Sequence, residues 1–445
     1  MPIDPKVRIA APTVRVTTLA PAPLKPQVTT APQPMTLPGH QTVSTFDGGR
    51  PVIKRDGIPD DSIGRRTTNG IADDGIGRRK KSGIADDGIG RAKKGGIADD
   101  GIGSSEAMLD SLVGRHDTAD SLALRNAIYE RLETPRFLKG SASVPSQVAA
   151  FAKTMGLSKT QLGQVDTILK GATGGTATLL GALLEKTPEV LTTVDVNGKS
   201  ALENLARLAQ QPLNPKIAGD ANKGELLASV LRDLVNPNRI DQGDAPTCTV
   251  TSMQFELVAD EPAEYTRLIA DLSGPDGRAK MRGGSYLELE SGDAGARDGR
   301  SVSNAVFQTA AMEFGNGRDA QFDPFVGKSV NATTGAEQRG LKPAQQTQVL
   351  RQLFGVNYES KNFLSEAEGA KALEKLRTIN TRGAQNRPII LQLDQGNFNH
   401  AVTFERVSEQ RVFFRDPYGV LRSMPEQQFP KFVMAVNAPR DLNIL

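Results

Sequence analysis

Residues 400–416 read His-Ala-Val-Thr-Phe-Glu-Arg-Val-Ser-Glu-Gln-Arg-Val-Phe-Phe-Arg-Asp. Apolar and polar side chains alternate over 401–407, and a second run rich in Val and Phe follows at 411–415. Alternation with a period of two is typical of a half-buried strand, so this stretch predicts two strands joined by a short turn. Antiparallel pairing of the two strands brings His400 and Asp416 together at the open end of the hairpin.

The residues around this hairpin predict the α+β class for 237–445. Two further strands are expected at the apolar runs 388–393 and 432–436. Helices are predicted earlier in the segment, directly after Cys248, at 264–272, at 302–314, at 343–353 and from a capping box formed by Ser365 and Glu368. The run from Ser303 to Glu313 is interpreted as a core helix that lines a cleft. Helices first and an antiparallel sheet last is an α+β arrangement.

Residues 105–236 show helical periodicity and carry no cluster of charged or metal-ligating residues. Apolar side chains recur at helical spacing near the end of this stretch, at Leu226, Leu227, Val230, Leu231 and Leu234. Breaks such as Thr134-Pro135 and Gln211-Pro212 divide the stretch into five or six helices. We interpret residues 105–236 as an all-α accessory module that precedes the α+β segment.

Residues 1–104 are predicted to be a disordered tail. The first fifty are rich in Pro and Thr, and four 13-residue repeats follow, starting at Gly57, Gly70, Gly83 and Gly96. Each repeat reads Gly-Ile-(Ala or Pro)-Asp-Asp-(Gly or Ser)-Ile-Gly. Two Ile side chains cannot offset the entropy of ordering thirteen residues, which favours a flexible linker. A recognition or cleavage motif in several copies is one alternative. A metal site is another, although the repeat lacks the ligand spacing of known calcium loops.

The composition argues against several classes of protein. A net charge of +3 over 445 residues gives no reason to expect nucleic acid as a partner. The single cysteine rules out an intramolecular disulfide. The best candidate for a membrane span, Gly174 to Leu184, is about half the roughly 18 apolar residues required, so we expect a buried helix there and no span. No secretory signal is expected, which predicts a cytoplasmic protein or one exported by a non-classical route.

The one cysteine lies at a position that suits a nucleophile. Cys248 follows Pro246-Thr247, a pair that suits the turn into a helix, and therefore falls in the first helical turn. The unpaired backbone N–H groups and the helix dipole at that position lower a thiol pKa, and the thiolate is the reactive form. A buried cysteine that only fills space is the alternative.

A base, an orienting acid and an oxyanion donor can be assigned around this cysteine. His40 lies in the predicted tail and His116 has no partner motif, whereas His400 shares the predicted hairpin with Asp416. An aspartate beside an imidazole fixes its tautomer and stabilises the imidazolium. Gln242, six positions before the cysteine, carries an amide that can donate a hydrogen bond to a developing oxyanion.

Taken together, these motifs resemble the papain-like cysteine peptidases over residues 238–445. The matching features are Gln242-Gly243, Cys248 at the start of a helix, His400-Ala401-Val402 on a strand and an Asp sixteen residues later. The form Asp416-Pro417-Tyr418-Gly419 is most similar to that of bacterial double-glycine, bacteriocin-processing peptidases. The resemblance implies a helical subdomain packed against a sheet, with substrate in the cleft between them and Gln242 as the oxyanion residue. The sequence departs from the pattern at Thr249, where papain-like enzymes often carry an aromatic residue.

Three functions are compatible with these residues. The first is a thiol peptidase acting on a protein or peptide substrate, as an exported bacterial enzyme or effector. The second is a non-proteolytic acyl-transfer enzyme, such as a transglutaminase, deamidase or acyltransferase toxin, because the same residues serve all of these reactions. The third is a non-catalytic binding protein. No cofactor or metal is expected. Self-processing in the repeats is a further hypothesis, since Lys93-Lys94-Gly95-Gly96 offers a double glycine.

Overall fold

A computed structural model describes residues 46–47, 50–51, 119–218, 222–290, 292, 294–295, 299–317, 320–379, 387–394 and 399–444. The tail predicted for 1–104 lies outside these residues except for two strands, β1 (Phe46–Asp47) and β2 (Arg50–Pro51), which pair antiparallel. The four repeats, His40 and His116 all lie outside the described residues. The β1–β2 pair belongs to a separate compact unit from the elements below.

Seven helices occupy residues 119–235 where five or six were expected. They are α1 (Ala119–Glu133), α2 (Val144–Thr154), α3 (Lys159–Lys170), α4 (Gly174–Lys186), α5 (Pro188–Thr192), α6 (Ala201–Gln210) and α7 (Lys223–Val235). The short α5 accounts for the difference, because Pro188 starts a new five-residue helix immediately after α4. The described residues between 119 and 235 form helices joined by turns and loops, and α4 is largely buried, as predicted.

Side-chain caps explain where most of these helices begin. Ser143, Ser158, Thr173, Ser200 and Asn222 each accept a hydrogen bond from the backbone N–H three residues further on. Such caps satisfy N–H groups that the first helical turn leaves without a partner. The starts of the helices are therefore set locally, by one polar residue before each apolar run.

The remaining residues form helices and strands in mixed order. The helices are α8 (Cys248–Asp260), α9 (Pro262–Ser273), α10 (Val302–Asn316), α11 (Pro343–Phe354), α12 (Glu366–Leu376) and α13 (Phe429–Phe432). Two 3-10 turns span Pro237–Arg239 and Arg440–Leu442. All five helices predicted in this part of the chain are present. The Ser365 cap forms, but the Glu368 carboxylate accepts from the N–H of Leu364 rather than of Ser365.

The described strands of 237–445 form one large sheet and two small ones. The large sheet contains β8 (Tyr358–Asn362), β9 (Ile390–Asp394), β10 (Asn399–Ser408), β11 (Arg411–Asp416), β12 (Val420–Pro425) and β13 (Val433–Pro439). Its order is β12-β11-β10-β9-β13-β8, and every neighbouring pair is antiparallel. The small sheets are β3 (Arg278–Lys280) with β4 (Tyr286–Glu288), and β5 (Ala320–Asp323), β6 (Lys328–Asn331) and β7 (Glu337–Gln338). The α+β prediction is confirmed.

The predicted hairpin forms the second and third strands of the large sheet. Strands β10 and β11 pair antiparallel with Thr403 opposite Arg415 and Ser408 opposite Arg411. The two turn residues, Glu409 and Gln410, have φ values of 55° and 58°. Positive φ at both central positions matches the twist of paired strands, which keeps this turn tight. The hairpin therefore opens at the end that carries His400 and Asp416.

Helix α8 packs on strand β10 through its buried polar side chains as well as its apolar ones. The Ser252 hydroxyl donates to the carbonyl oxygen of Ala401 at 3.4 Å. The Thr403 hydroxyl donates to the carbonyl oxygen of Ser252, also at 3.4 Å. Because Cys248 begins this helix and His400 lies at the start of this strand, the contact fixes their separation.

The boundary predicted between residues 236 and 237 does not coincide with a break in packing. Leu226 and Leu231 of α7 belong to the same buried cluster as Met253 and Leu257 of α8. A second cluster contains Leu373 and Leu376 of α12 together with Val402 and Phe414 of the large sheet. The helices of 119–235 thus share one core with the helix that carries the cysteine. In the described part of the chain no helix is long and apolar enough to cross a membrane.

Candidate active site

Cys248 is the first residue of helix α8, and its side chain is partly exposed. The preceding Thr247 does not cap the helix with its side chain; its hydroxyl donates instead to Gln308 Oε1 at 2.9 Å. The first turn of α8 therefore keeps its N–H groups and the positive end of the helix dipole directed at the thiol. This position favours the thiolate and leaves it open to a substrate.

His400 and Asp416 lie side by side at the open end of the β10–β11 hairpin. His400 Nε2 is 3.4 Å from Asp416 Oδ1, and the two residues are 3% and 2% exposed. The same carboxylate oxygen accepts from the backbone N–H of Tyr418 at 3.1 Å. Its other oxygen is 3.0 Å from Nε of Arg422, which is also buried. Both oxygens of Asp416 are thus held, and its orientation toward the imidazole is fixed.

The Cys248 thiol and the His400 imidazole shift each other's pKa. Burial by itself raises the pKa of Cys248, but a hydrogen bond and the charge of His400, the backbone of Ala401 and the hydroxyl of Thr249 outweigh it, so the pKa lies below its usual value. Burial by itself lowers the pKa of His400, but the charge and hydrogen bond of Asp416, with Cys248, raise it well above its usual value. These opposite shifts favour a thiolate paired with an imidazolium.

The two nitrogens of His400 have different partners. Nε2 faces Asp416, which leaves Nδ1 as the nitrogen available to the Cys248 sulfur. Hydrogen bonding on one side of an imidazole sets the proton on the other side. The three side chains therefore stand in the order thiol, imidazole, carboxylate, which is the arrangement of a nucleophile, a base and an orienting acid.

Gln242 lies in the turn before α8 and lines the same cleft as Cys248. Its backbone N–H donates to the carbonyl oxygen of Pro417 at 3.1 Å, which ties this turn to the loop after Asp416. Its side-chain Nε2 donates to the Tyr418 hydroxyl at 3.0 Å. Its Oε1 is buried and has no hydrogen-bond partner among the described residues. The amide is held in the cleft by one bond, to Tyr418.

A cleft of about 500 Å³ opens onto the cysteine. Its lining includes Gln242, Cys248, His400 and Tyr418, together with residues of the segment between β7 and α11. The Tyr418 ring lies nearly parallel to the His400 ring, with the centroids 6.1 Å apart and the planes 20° apart. Cys248, His400 and Gln242 are thus brought to one cleft, with Asp416 behind His400.

Buried amides of α8 and α10 brace the turn that carries Gln242. Gln308 Nε2 donates to the carbonyl oxygen of Asp241 at 3.0 Å, and its Oε1 accepts from Thr247. Gln308 Nε2 also donates to Gln254 Oε1 at 3.0 Å. Gln254 Nε2 in turn donates to Asn304 Oδ1 at 2.9 Å. The three amide side chains are fully buried, and through Gln308 they fix both ends of the segment from Asp241 to Thr247.

The same network continues into the preceding helices. Gln254 Nε2 also approaches the hydroxyl of Tyr265 at 3.3 Å, and that hydroxyl donates to Asp233 Oδ2 at 2.7 Å. The Ser303 hydroxyl donates to the same carboxylate oxygen at 2.6 Å. Burial raises the pKa of Asp233 to about 6, although these hydroxyls and the charge of Arg232 oppose the shift. Helix α7 is therefore linked to the site by polar contacts as well as by its apolar face.

Several residues of the site carried no interpretable pattern in the sequence. The run from Ser303 to Glu313 was expected to line the cleft, but none of its residues does so. This helix lies behind the cleft, and its polar side chains form hydrogen bonds with the segment before Cys248 rather than face the opening. Polar residues inside an otherwise apolar helix were the available signal. Arg422 and Tyr418 gave no such signal, since their roles depend on contacts across the sheet.

The described residues contain no group of three or more His, Cys, Asp or Glu side chains that could hold a metal ion. A comparison with protein-family models found no family that matches the chain, and a comparison with curated proteins found no relative. The geometry of the cleft and its residues is therefore the basis for a functional proposal.

Proposed function

We propose that residues 237–445 form a papain-like cysteine peptidase domain, with Cys248 as nucleophile, His400 as acid and base, Asp416 as orienting acid and Gln242 as oxyanion donor. The observation that carries the proposal is the arrangement at Cys248. A partly exposed thiol at a helix start shares the cleft with an imidazole that lowers the pKa of the thiol and whose Nε2 faces a buried carboxylate. A cleft open to the thiol gives a peptide access to it.

The first half of the reaction forms an acyl-enzyme. The Cys248 thiolate attacks the peptide carbonyl carbon, and a negative charge develops on the carbonyl oxygen. The backbone N–H of Cys248 and the Gln242 amide are the donors available to that oxygen. As the C–N bond breaks, the leaving nitrogen takes the proton held by His400 Nδ1, and a free amine departs. A thioester to Cys248 and a neutral imidazole remain.

The second half restores the enzyme. Neutral His400 removes a proton from a water molecule, and the resulting hydroxide attacks the thioester carbonyl carbon. The C–S bond breaks, the product leaves as a carboxylic acid that ionises, and the thiolate–imidazolium pair is restored. Asp416 holds the imidazole in one orientation in both halves and stabilises its protonated form. The buried Arg422 keeps Asp416 in place, 3.0 Å from its second oxygen.

To donate to an oxyanion, the Gln242 amide has to exchange its present hydrogen-bond partner. Its Nε2 donates to the Tyr418 hydroxyl in the structure, and this hydroxyl lines the same cleft. A small rotation of the amide toward a bound oxyanion would exchange one hydrogen bond for a charge-assisted one, which is about twice as strong. The Tyr418 hydroxyl is then the resting partner that keeps the amide in the cleft.

A thiol-directed probe followed by a peptide-library digest tests the proposal. We expect wild-type protein to label at Cys248 faster than a free thiol at pH 6, and to cleave peptides, whereas Cys248→Ala should do neither. His400→Ala should stay folded and label only as fast as an ordinary thiol, because the pair is lost. Labelling of wild type no faster than a free thiol would rule out an enzyme. Fast labelling without cleavage, but with ammonia release from glutamine peptides, would replace the peptidase by an acyl-transfer enzyme.

A further inference from the structure

The cleft beside Cys248 carries an excess of positive charge. Apart from the Cys248 thiolate and the His400 imidazolium, whose charges offset each other, its charged lining residues are Arg339 and Lys342, and none of the described lining residues is Asp or Glu. Both cations are exposed, and neither forms an ion pair with a carboxylate among the described residues. The neighbouring Glu337 is already paired, because its carboxylate is 2.6 Å from Lys328 Nζ. The cleft therefore presents two positive charges that the described part of the protein does not neutralise.

These two charges are on a segment whose position is fixed. It connects β7 to α11, and Gln338 Nε2 braces it by donating to the carbonyl oxygen of Gly340 at 2.7 Å. Gly340 passes close to the turn before the cysteine, since a Cβ on this glycine would lie 3.9 Å from the Pro246 carbonyl oxygen. Arg339 and Lys342 therefore flank a close approach to the residues that precede Cys248. Both charges therefore line the same cleft as the thiol.

We propose that this cleft selects peptides with acidic side chains next to the bond that is cleaved. The inference rests on the proposed peptidase function of Cys248 and adds a substrate class to it. Two cations without counter-charges at the mouth of a cleft attract anionic groups and disfavour cationic ones. The lining also includes the amide of Gln392, which can hydrogen-bond a carboxylate as well as peptide backbone.

The chain contains a sequence of this class. Gly-Ile-Ala-Asp-Asp-Gly-Ile-Gly occurs at residues 70–77, 83–90 and 96–103. Its paired aspartates give two negative charges within eight residues, and its Gly and Ala residues add little bulk beside them. This octapeptide is therefore a suitable probe, and Gly-Ile-Ala-Asn-Asn-Gly-Ile-Gly is a control of the same size without the charges.

Binding to the full-length Cys248→Ala variant tests the inference without requiring turnover. We expect the Asp-Asp peptide, measured by fluorescence anisotropy at low salt, to bind about tenfold more tightly than the Asn-Asn peptide, as two exposed charge pairs allow. The preference should shrink toward unity at high salt, because exposed charges are screened. Competition from the repeats in the chain itself lowers both affinities by the same factor and leaves their ratio unchanged.

Charge reversal provides the matched comparison. Adding Arg339→Glu and Lys342→Glu to Cys248→Ala should abolish or invert the preference. The control pair Lys371→Glu and Lys431→Glu makes the same change of charge at exposed positions outside the cleft lining and should preserve it. Equal binding of the two peptides, or the same loss of preference in the control pair, would overturn the inference.

Turnover by the unmutated enzyme separates the inference from the function on which it rests. Cleavage of both peptides at equal kcat/KM leaves the peptidase standing and refutes the acidic preference. Preferential binding of the Asp-Asp peptide with no accelerated labelling of Cys248 refutes the peptidase and supports the charge selection of the cleft. We expect accelerated labelling together with a kcat/KM that is about tenfold higher for the Asp-Asp peptide.

Discussion

Replacing Asp416 with Asn removes the negative charge that stabilises the His400 imidazolium and preserves the size of the side chain. His400 Nε2 is 3.4 Å from the carboxylate, and both groups are buried. At that distance the attraction between unit charges is about 5 kcal/mol with an effective dielectric constant of 20. A third of this energy, about 1.6 kcal/mol, already moves a pKa by about one unit.

Loss of the Asp416 charge also raises the pKa of the Cys248 thiol, because the His400 imidazolium and the Cys248 thiolate stabilise each other. The charge and hydrogen bond of His400 lower the pKa of Cys248, and those of Asp416 raise the pKa of His400. In Asp416→Asn the buried guanidinium of Arg422 loses its counter-charge beside the imidazole, which disfavours a second cation further. We therefore expect the pH at which the thiolate forms to rise by at least about one unit, and labelling at pH 6 to slow about tenfold or more.

The assay is the rate of alkylation of Cys248 by iodoacetamide from pH 4 to 10, with an unfolding curve at each pH to show that the variant is native. The pH at which the rate reaches half its plateau reports thiolate formation. Glu374→Gln is the control, because it removes one negative charge from an exposed ion pair with Arg377. It should give the wild-type profile. A folded Asp416→Asn protein with an unchanged profile would refute the role given to the carboxylate.

Three further predictions concern residues that surround or support Cys248, His400 and Asp416. Tyr418→Phe removes the acceptor of Gln242 Nε2 but no charge, so kcat should fall about threefold to tenfold. The pH profile of Cys248 alkylation should stay unchanged, and a shifted profile would show that Tyr418 also affects the thiol. Gln308→Leu leaves the Asp241 carbonyl and the Thr247 hydroxyl without this partner and should lower the free energy of unfolding by about 3 kcal/mol in chemical denaturation, and slow alkylation as well. Thr309→Val, at a buried hydroxyl with no partner among the described residues, is its control and should be close to neutral. Asp233→Asn tests how the stability of the fold depends on pH. The pKa of Asp233 is about 6 in the folded state, above the usual 3.8. The stabilisation from this group is therefore complete below pH 3.8 and is lost as the pH rises through about 6. Wild-type stability should therefore decline by about 3 kcal/mol from this group between these pH values, and a variant with the same decline would contradict the assignment.

Local patterns were sufficient for most helices and for the β10–β11 hairpin. The alternation over 401–407 and 411–415 repeats every second residue, and this period distinguishes a strand from a helix without any knowledge of partners. Strands β8 and β12 were not predicted from the same sequence. Strand β8 contains Glu359 and Lys361 and lies at the edge of the sheet, so its pairing with β13 defines it rather than its composition.

The extent of the helical module was a further point that local patterns did not decide. Periodicity marks which face of a helix is apolar but not which other helix covers it. The apolar face of α7 packs in the core that also holds Met253 of α8. The salt bridge between Arg207 and Asp271, at 2.5 Å, joins α6 to α9 across the predicted boundary. Removal of residues 119–235 would therefore expose the core beneath the cysteine helix.

The sequence by itself determined the candidate residues and their local settings. The Pro246-Thr247 turn placed Cys248 at the start of a helix, and strand alternation placed His400 and Asp416 at one end of a hairpin, because turn residues and alternating strands act over a few positions. Only the tertiary structure decided what surrounds them. The Arg422 contact to Asp416, the Tyr418 partner of Gln242 and the bond from Gln308 to the Asp241 carbonyl join residues from different elements. Such contacts depend on how helices and sheet pack, and no local periodicity encodes them.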